Sequence, residues 1–435
     1  MHGLLWWRLV RSTTRPGRTR RLLTLGLVAL ALLPMGAVLL RREDSPAATA
    51  LQWVGFSWLG LAFYLFVTLL ALEPVRWVAT YVLRRRAAAQ RLEPVAAHQS
   101  GTARGGGWTG RGARRVPDRD TGSGSTAVGT APGGGGRPED DDVHRGAVRQ
   151  DRDVADASRR LLLARGLAAT AGVVALGTAG TGAYLANSAP VVRRVPVTLP
   201  GLAPALDGLR IVTFSDGHLS AMYRGRRFER LVGIVNAQQP DVVAIVGDLV
   251  DGELAELRDE AAPLADLVSD QGVYFVTGNH EYFVDTTAWL RHLSGMGVRV
   301  LRNDRVPIVR GSASVDLAGI DDRTAFRSGL PGHGADLDTA LDGRDDAVPV
   351  VLMAHQPVQV EQAAAAGVTL QLSGHTHGGQ LWPFDYAVRL DQPAVQGLSR
   401  VGDTQLYVTT GAGFWGPPMR IGARPEVAVV ELRSP

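Results

Sequence analysis

The 435-residue chain has no cysteine, and all 46 of its basic residues are arginine, with no lysine. The first absence excludes a disulfide framework, a thiolate metal site and a cysteine nucleophile. The second reads as overall composition rather than chemistry. The net charge is only +4, but each half is dominated by one sign. Residues 1–195 carry 27 Arg against 13 Asp and Glu, a balance of +14. Residues 196–435 carry 19 Arg against 29 Asp and Glu, a balance of −10. The sequence pI near 9.7 therefore gives no reason to expect a nucleic-acid partner. Basic flanks beside apolar runs point to membrane topology instead.

Two such runs stand near the start. Residues 22–40, LLTLGLVALALLPMGAVLL, are uncharged and of membrane-spanning length. Arg8, Arg11, Arg15, Arg18, Arg20 and Arg21 precede them, which places this end in the cytoplasm. Residues 51–72, LQWVGFSWLGLAFYLFVTLLAL, form the second run, followed by Arg76, Arg84, Arg85, Arg86 and Arg91. Residues 1–91 therefore read as a membrane hairpin; two buried core helices are the competing reading, and runs this long without charge argue against it. Residues 92–157 are rich in Gly, Arg and Asp, lack apolar periodicity, and read as a disordered cytoplasmic linker. Residues 158–190 begin with Arg159 and Arg160 before a Gly/Ala-rich apolar run. This segment is either a twin-arginine-like export signal, which would imply the twin-arginine export machinery as a partner, or a third membrane span. Both readings put the rest of the chain outside the cytoplasm, at a cell membrane.

From residue 196 to 435 short β-rich runs alternate with amphipathic stretches, which predicts an α/β fold with a largely parallel sheet. Strands are expected at 211–215, 241–246, 272–277, 313–319, 349–354, 368–373, 405–410 and 426–432, in a segment of about 240 residues that is ample for one core. Polar clusters follow five of them. Asp216 and His218 follow the first, Gly247, Asp248 and Asp251 the second, and Gly278, Asn279, His280 and Glu281 the third. His355 follows PVVLMA, and Gly374, His375, Thr376 and His377 follow VTLQLS. Five of the ten histidines lie in these clusters. Open α/β sheets place their sites at such carboxyl ends. Imidazole and carboxylate together suit Mn, Fe, Co, Ni or Zn. Glycine beside a ligand, at 217, 247, 278 and 374, lets the backbone turn without a Cβ clash.

In their order, DGH, GDLVD, GNHE, AH and GHTH resemble the motifs of the calcineurin-like metallophosphoesterases over about 210–432. The stretches LSGHTHGGQ and GFWGPPMRIGARPE look most like the bacterial membrane-associated or exported branch. The resemblance implies a two-sheet αββα sandwich preceded here by transmembrane helices. It implies two divalent metal ions (Mn, Fe, Zn or Co), one held by Asp216, His218 and His377, the other by Asn279, His355 and His375, with Asp248 bridging. It implies that His280 protonates the leaving oxygen and that Asp251 orients His280. The reaction would be hydrolysis of a phosphate mono- or diester by a hydroxide between the metals, without a covalent enzyme intermediate. Tethering points to lipid-linked or envelope phosphoesters as substrate; an exported nucleotide or organophosphate phosphatase, and a catalytically silent metal-binding membrane protein, are the alternatives. The intact ligand set speaks against the last.

Outside the clusters, Arg420 is a candidate for gripping a phosphate oxygen, Trp415 for covering the substrate, and Arg323 a further substrate contact. Gly378, Gly379 and Gln380 are candidates for the pocket mouth. The basic ridge YRGRRFER at 223–230 reads either as a solvated face or as a contact for anionic groups.

Overall fold

The computed structural model describes residues 1–40, 43, 45–99 and 138–435. The N-terminal part is helical: α1 (His2–Leu5) continuing into a π-helical turn (Trp6–Arg11), α2 (Arg18–Leu39), α3 (Pro46–Gln99) and α4 (Pro138–Asn187). Among the described residues three helices are long and apolar enough to cross a membrane: Arg18–Leu39, Pro46–Arg86 and Ala157–Asn187. Helix extends over 92–99 and 138–157, which the sequence analysis assigned to the linker. The physical reason is local. Ala, Arg, Gln and Leu prolong α3, while Pro138 at the first helical position and four acidic residues behind it suit a helix start. The rest of that linker, 100–137, lies outside the described residues.

Twelve strands follow in two six-stranded sheets. The strands are β1 (Val191–Thr198), β2 (Arg210–Phe214), β3 (Val242–Val246), β4 (Val273–Val276), β5 (Val298–Val300) and β6 (Asp304–Arg310), then β7 (Ala313–Gly319), β8 (Val350–Met353), β9 (Leu370–Ser373), β10 (Gly397–Val401), β11 (Thr404–Val408) and β12 (Glu426–Arg433). The first sheet has the order β1-β12-β2-β3-β4-β5 and the second β10-β11-β9-β8-β7-β6. Each contains a parallel block of four, β2-β3-β4-β5 and β11-β9-β8-β7. This is the two-sheet sandwich that the motif resemblance implied.

The strands stack because both faces are apolar. In β3, Val242, Ala244 and Val246 face the core between the sheets, while Val243 and Ile245 face the outer helices. A strand buried on both faces reads as a continuous apolar run, and VVAIV does. Over the first sheet lie α5 (Arg226–Asn236), α6 (Leu254–Ala261) and α7 (Thr286–Gly295). In α5, Phe228, Leu231, Val232 and Val235 fall at helical spacing and all are buried. Asp285 caps α7 by accepting the Ala288 N–H at 3.0 Å. Over the second sheet lie α8 (Leu337–Leu341) and α9 (Val360–Ala365), and α10 (Asp385–Val388) follows β9.

The long apolar helices are not a free tether. Gly55 of α3 packs against Leu33 of α2, and Trp53 meets Phe414 edge-on at 6.4 Å. The loop carrying Pro417, Met419 and Ile421 inserts between Gly60 of α3 and Gly182 of α4. The Arg420 N–H donates to the Gly182 carbonyl at 2.9 Å. The ridge at 223–230 joins this contact: Arg227 bonds Asn187 and lies over the Trp53 ring at 5.9 Å.

A Cβ at Gly60 would stand 2.6 Å from Met419 Sδ and 3.2 Å from Pro417 Cβ. Gly60→Leu in the detergent-solubilised full chain is therefore expected to cost about 1–3 kcal/mol by overpacking and to lower the thermal midpoint. Gly166→Leu, where nothing lies within 4 Å, should not lower it. Equal midpoints for both variants would contradict the docked arrangement.

Candidate metal centre

The turns after β2, β3 and β4 in one sheet and after β8 and β9 in the other converge on a single point. Asp216, His218, Asp248 and His355 are essentially buried there, with His377 nearly so. Three groups bring their ligand atoms within 4.8 Å of one another: Asp216–His218–His377, Asp248–His355–His375 and His218–Asp251–His280. The first contains the three residues expected from the motifs to share one ion; the second joins His355 and His375 to Asp248, the expected bridge, and does not include Asn279.

The backbone is bent sharply to achieve this. Of the eight non-glycine residues at positive φ among the described residues, five are Asp216 (53°), His218 (45°), Asp248 (51°), His375 (70°) and His377 (52°). Left-handed backbone costs a non-glycine residue on the order of 1–3 kcal/mol, and such strain collects at functional sites. Two neighbouring glycines leave no alternative. A Cβ on Gly374 would collide with Ser215 Oγ and Asp216 Oδ2, and one on Gly278 with Asp248. Gly217 is different: a Cβ there meets ordinary contacts at 3.4 Å, so the clash expected from sequence is absent.

Hydrogen bonds fix the rings. Asp251 Oδ1 accepts from His280 Nδ1 at 2.6 Å and from His218 Nδ1 at 2.9 Å. His355 Nδ1 donates to the Val246 carbonyl at 2.8 Å, leaving its Nε2 3.1 Å from Asp248 Oδ2. His218 Nε2 and His377 Nε2 face each other at 2.9 Å. Glu281, to which sequence reasoning gave no role, holds the turns together. Its carboxylate accepts the N–H groups of Asp248 (3.0 Å), Leu249 (2.8 Å), Val250 (3.3 Å) and Gly278 (2.6 Å). Burial and the charge of Asp248 push this carboxyl up to about 7.

The electrostatics divide the histidines. Burial, with His355 beside it, pushes His375 down to about 3. Burial, with the Arg420 cation beside it, holds His377 well below the ordinary imidazole range. Both are neutral donors suited to a cation. Burial opposes the charge on His280, but Asp248 and Asp251 outweigh it and raise this imidazole to about 9. Burial likewise opposes ionisation of Asp248, and His355 and His280 overcome it, so this carboxylate lies well below its usual range.

The donor set fits divalent cations. Buried carboxylates converge with neutral His375 and His377, and the buried Asn279 Oδ1 at the same place has no hydrogen-bond partner among the described residues. Nitrogen and oxygen donors of this kind suit Mn, Fe, Co or Zn.

The remaining candidates separate. Trp415 lines the cavity above the centre and meets the His280 ring edge-on at 5.6 Å. Arg420, expected to reach a phosphate oxygen, is instead fully buried beneath the site. It donates to the carbonyls of Gly413, His377 and Thr410 and lies 3.1 Å from His377 Nδ1. Arg323 pairs with Asp391 at 3.5 Å and does not line this cavity. Gln380 is turned away from the centre and bonds the carbonyls of Trp415 and Pro417. Sequence reasoning also missed Val38, Gln52 and Phe56, which line the cavity from the hairpin. Nothing local to those positions signals it.

Residues 209–379 match the family described as calcineurin-like phosphoesterase. A zebrafish (Danio rerio) protein called "Transmembrane protein with metallophosphoesterase domain" is 41% identical over 259 residues, 58% of this chain and 59% of that protein. The chain thus spans about three fifths of that relative's length. A Helicobacter pylori "Uncharacterized metallophosphoesterase" is 34% identical over 259 residues, 59% of this chain and 68% of the relative. Among solved structures, a dimetal phosphatase from Danio rerio is 13% identical with a TM-score of 0.31, covering 47% of this chain and 88% of that one.

Glu281→Ala would strand several buried N–H groups, each worth about 1–3 kcal/mol of desolvation. The variant is expected to unfold at clearly lower temperature than Glu281→Gln, which keeps an acceptor oxygen. Equal thermal midpoints would show that Glu281 does not hold the turns.

Proposed function

Because this chain belongs to the calcineurin-like phosphoesterase family, we propose that it is a membrane-held, metal-dependent phosphoesterase that hydrolyses a phosphate mono- or diester outside the cytoplasm. The observation carrying the reading is the convergence of buried histidines and carboxylates from both sheets on one point beneath an open cavity. In this reading Asp216, His218 and His377 would hold one cation and Asn279, His355 and His375 a second, with Asp248 available to both. Two divalent ions, when bound, acidify a water and neutralise phosphoryl oxygens. The chain's own groups do the rest. His280, kept protonated by Asp248 and Asp251, offers its Nε2 proton to the departing alkoxide. Asp251 holds the ring through Nδ1, so that Nε2 is free to face the substrate. Trp415 stands edge-on to that imidazole and limits water around it.

The membrane placement rests on where the arginines gather. Arg165 donates to the Thr13 carbonyl at 3.1 Å, Arg20 to the Arg11 carbonyl at 3.0 Å, and Arg8 pairs with Glu73 at 2.7 Å, so the arginine-rich ends of the helices meet. The opposite ends abut the sandwich. A basic end is the cytoplasmic one, which leaves the centre outside. In this reading the segment from 158 to 190 is a retained third span. Ala186 packs into the sandwich core and the Gly182 carbonyl accepts from Arg420, contacts that favour retention over a cleaved twin-arginine signal. The catalytic domain then runs from 196 to 435, extended at its start by β1.

Two experiments test this. Full-length protein stripped of metal should lose hydrolysis of bis-p-nitrophenyl or p-nitrophenyl phosphate and regain it with Mn, Fe, Zn or Co. Asp248→Asn should abolish the regained activity. His280→Ala should lose about 10²- to 10⁴-fold with alkyl esters, whose alkoxide needs a proton, and much less with the stabilised nitrophenolate. Equal losses on both would remove His280 from the acid role, and folded, metal-loaded protein inert on both esters would favour a silent metal-binding protein. Separately, a reporter fused after Pro435 should be active only outside the cytoplasm; activity inside would overturn the topology.

A further inference from the structure

The cavity over the metal centre has a volume of ≈ 650 Å³ and is walled by two different parts of the chain. Its floor is polar, with Asp248, Asn279, His280, His375 and His377. Its opposite wall is supplied by the membrane hairpin: Val38 near the end of α2, and Gln52 and Phe56 of α3. Met222, Leu257 and Phe414 fill the sides between them. Charged Glu43, Arg224 and Glu253 also line the cavity, so the apolar lining is a stripe and not the whole wall; a polar floor beside an apolar stripe fits a ligand that is polar at one end only.

The apolar wall does not stop at the cavity. Val38 is also a member of an exposed apolar row along α2 that includes Leu32, Met35 and Leu39. These residues belong to a helix of membrane-spanning length and character. The route from the metal centre to the lipid-facing side of α2 therefore passes over apolar side chains at Val38. Gln52 is buried, and its Nε2 donates to the Leu40 carbonyl at 3.3 Å, which ties the hairpin tip together. Phe56 is held by the same packing that seats Trp53 against Phe414.

A second exposed apolar feature lies beside α3. Trp382, Phe384 and Tyr386 are all more than half exposed on the segment after β9, and Phe384 meets Phe63 of α3 edge-on at 6.4 Å. Aromatic side chains beside a span are characteristic of the membrane–water interface. The cavity thus shares its wall with helices of membrane-spanning length and character. A water-soluble ester does not need such a wall.

We infer that the hairpin is part of the substrate site and that the substrate is a membrane lipid bearing a phosphate ester, its phosphate at the His/Asp centre and its hydrocarbon chain along Val38 and Phe56. The inference rests on the phosphoesterase reading for its chemistry. Water adds its hydroxyl to phosphorus, the P–O bond to the ester alcohol breaks, and the alcohol oxygen takes up the proton. The chain stays in apolar surroundings while only the head group crosses to the polar floor.

The test uses the full chain in phosphatidylcholine vesicles doped with phosphatidylglycerol as a diester or phosphatidic acid as a monoester. Their short-chain water-soluble analogues and bis-p-nitrophenyl phosphate serve as references. Phe56→Ala and Val38→Ser are each expected to lower the ratio of lipid to soluble kcat/KM by at least about 10-fold. An unchanged ratio in both variants, or faster turnover of the short-chain analogues than of the vesicle lipids, would overturn the inference while leaving the phosphoesterase reading intact. Loss of all metal-dependent turnover in the unmodified protein would fail the phosphoesterase reading instead. Binding then decides the inference on metal-stripped protein with a photoreactive phosphatidic acid carrying a diazirine in its acyl chain. Labelling at 38–56 that excess phosphatidic acid displaces, and phosphatidylcholine does not, supports it. Labelling that either lipid displaces equally contradicts it.

Discussion

A buried cation joins the metal centre to the membrane spans. The Arg420 guanidinium is removed from water, and burial lowers it to about 10, which still leaves it charged at neutral pH. A charge in that position is tolerable only if its donors are used. They are: the carbonyls of Gly413, Thr410 and His377 surround it. The same residue's backbone N–H holds the Gly182 carbonyl of α4. The loop from Thr410 to Ile421 is thereby fixed at both ends. It presses Gly411 and Gly413 against Asp216 and Gly217, where no Cβ would fit, and carries Phe414 and Trp415 to the cavity. The centre and the spans are one mechanical unit through this residue. An arginine in a Gly/Pro-rich loop near a phosphoester centre reads as a phosphate contact when only the sequence is seen. Its burial is set by the carbonyls of Thr410 and Gly413 in its own loop and by His377, a contact that no local pattern announces.

The legible part of the fold was its interior. All eight expected strands are present, and the four that the sequence hid, β1, β5, β6 and β10, are the four edge strands. The reason is physical. An edge strand needs only one hydrogen-bonded side, so it can carry proline and charge. Pro196 sits in β1 and Pro307 in β6. β1 also holds Arg193 and Arg194, which made it resemble a basic linker, and β5 is only three residues long. The five polar clusters were legible for the opposite reason: each follows an apolar interior strand, and the change from buried run to His, Asp and Gly is abrupt. What sequence could not supply was the pairing of ends across two sheets, the Glu281 clamp, or the hairpin's place in the cavity wall. All three depend on contacts between segments far apart in the chain.

Function follows from a trade between strain and charge. The chain holds five non-glycine residues in left-handed conformation and packs carboxylates together out of water. Neither is favourable alone. Glu281 and the interior strand ends over-determine the geometry, and neutral His375 and His377 present lone pairs rather than positive charge. Such a cage is preorganised for cations and for the oxygens of a phosphoryl group. The apolar helices α2 and α3 supply Val38, Gln52 and Phe56 to the cavity wall opposite this cage.

The central claim is that these strand ends build a two-ion centre with Asp248 shared between the ions. Metal stoichiometry of the purified full chain, measured by elemental analysis after removal of loosely held ions, tests it most directly. The account predicts two divalent ions per chain in the unmodified protein and loss of at least one in Asp248→Asn without loss of fold. A folded, active protein that holds no ion, or an Asp248→Asn variant that keeps both, would contradict it.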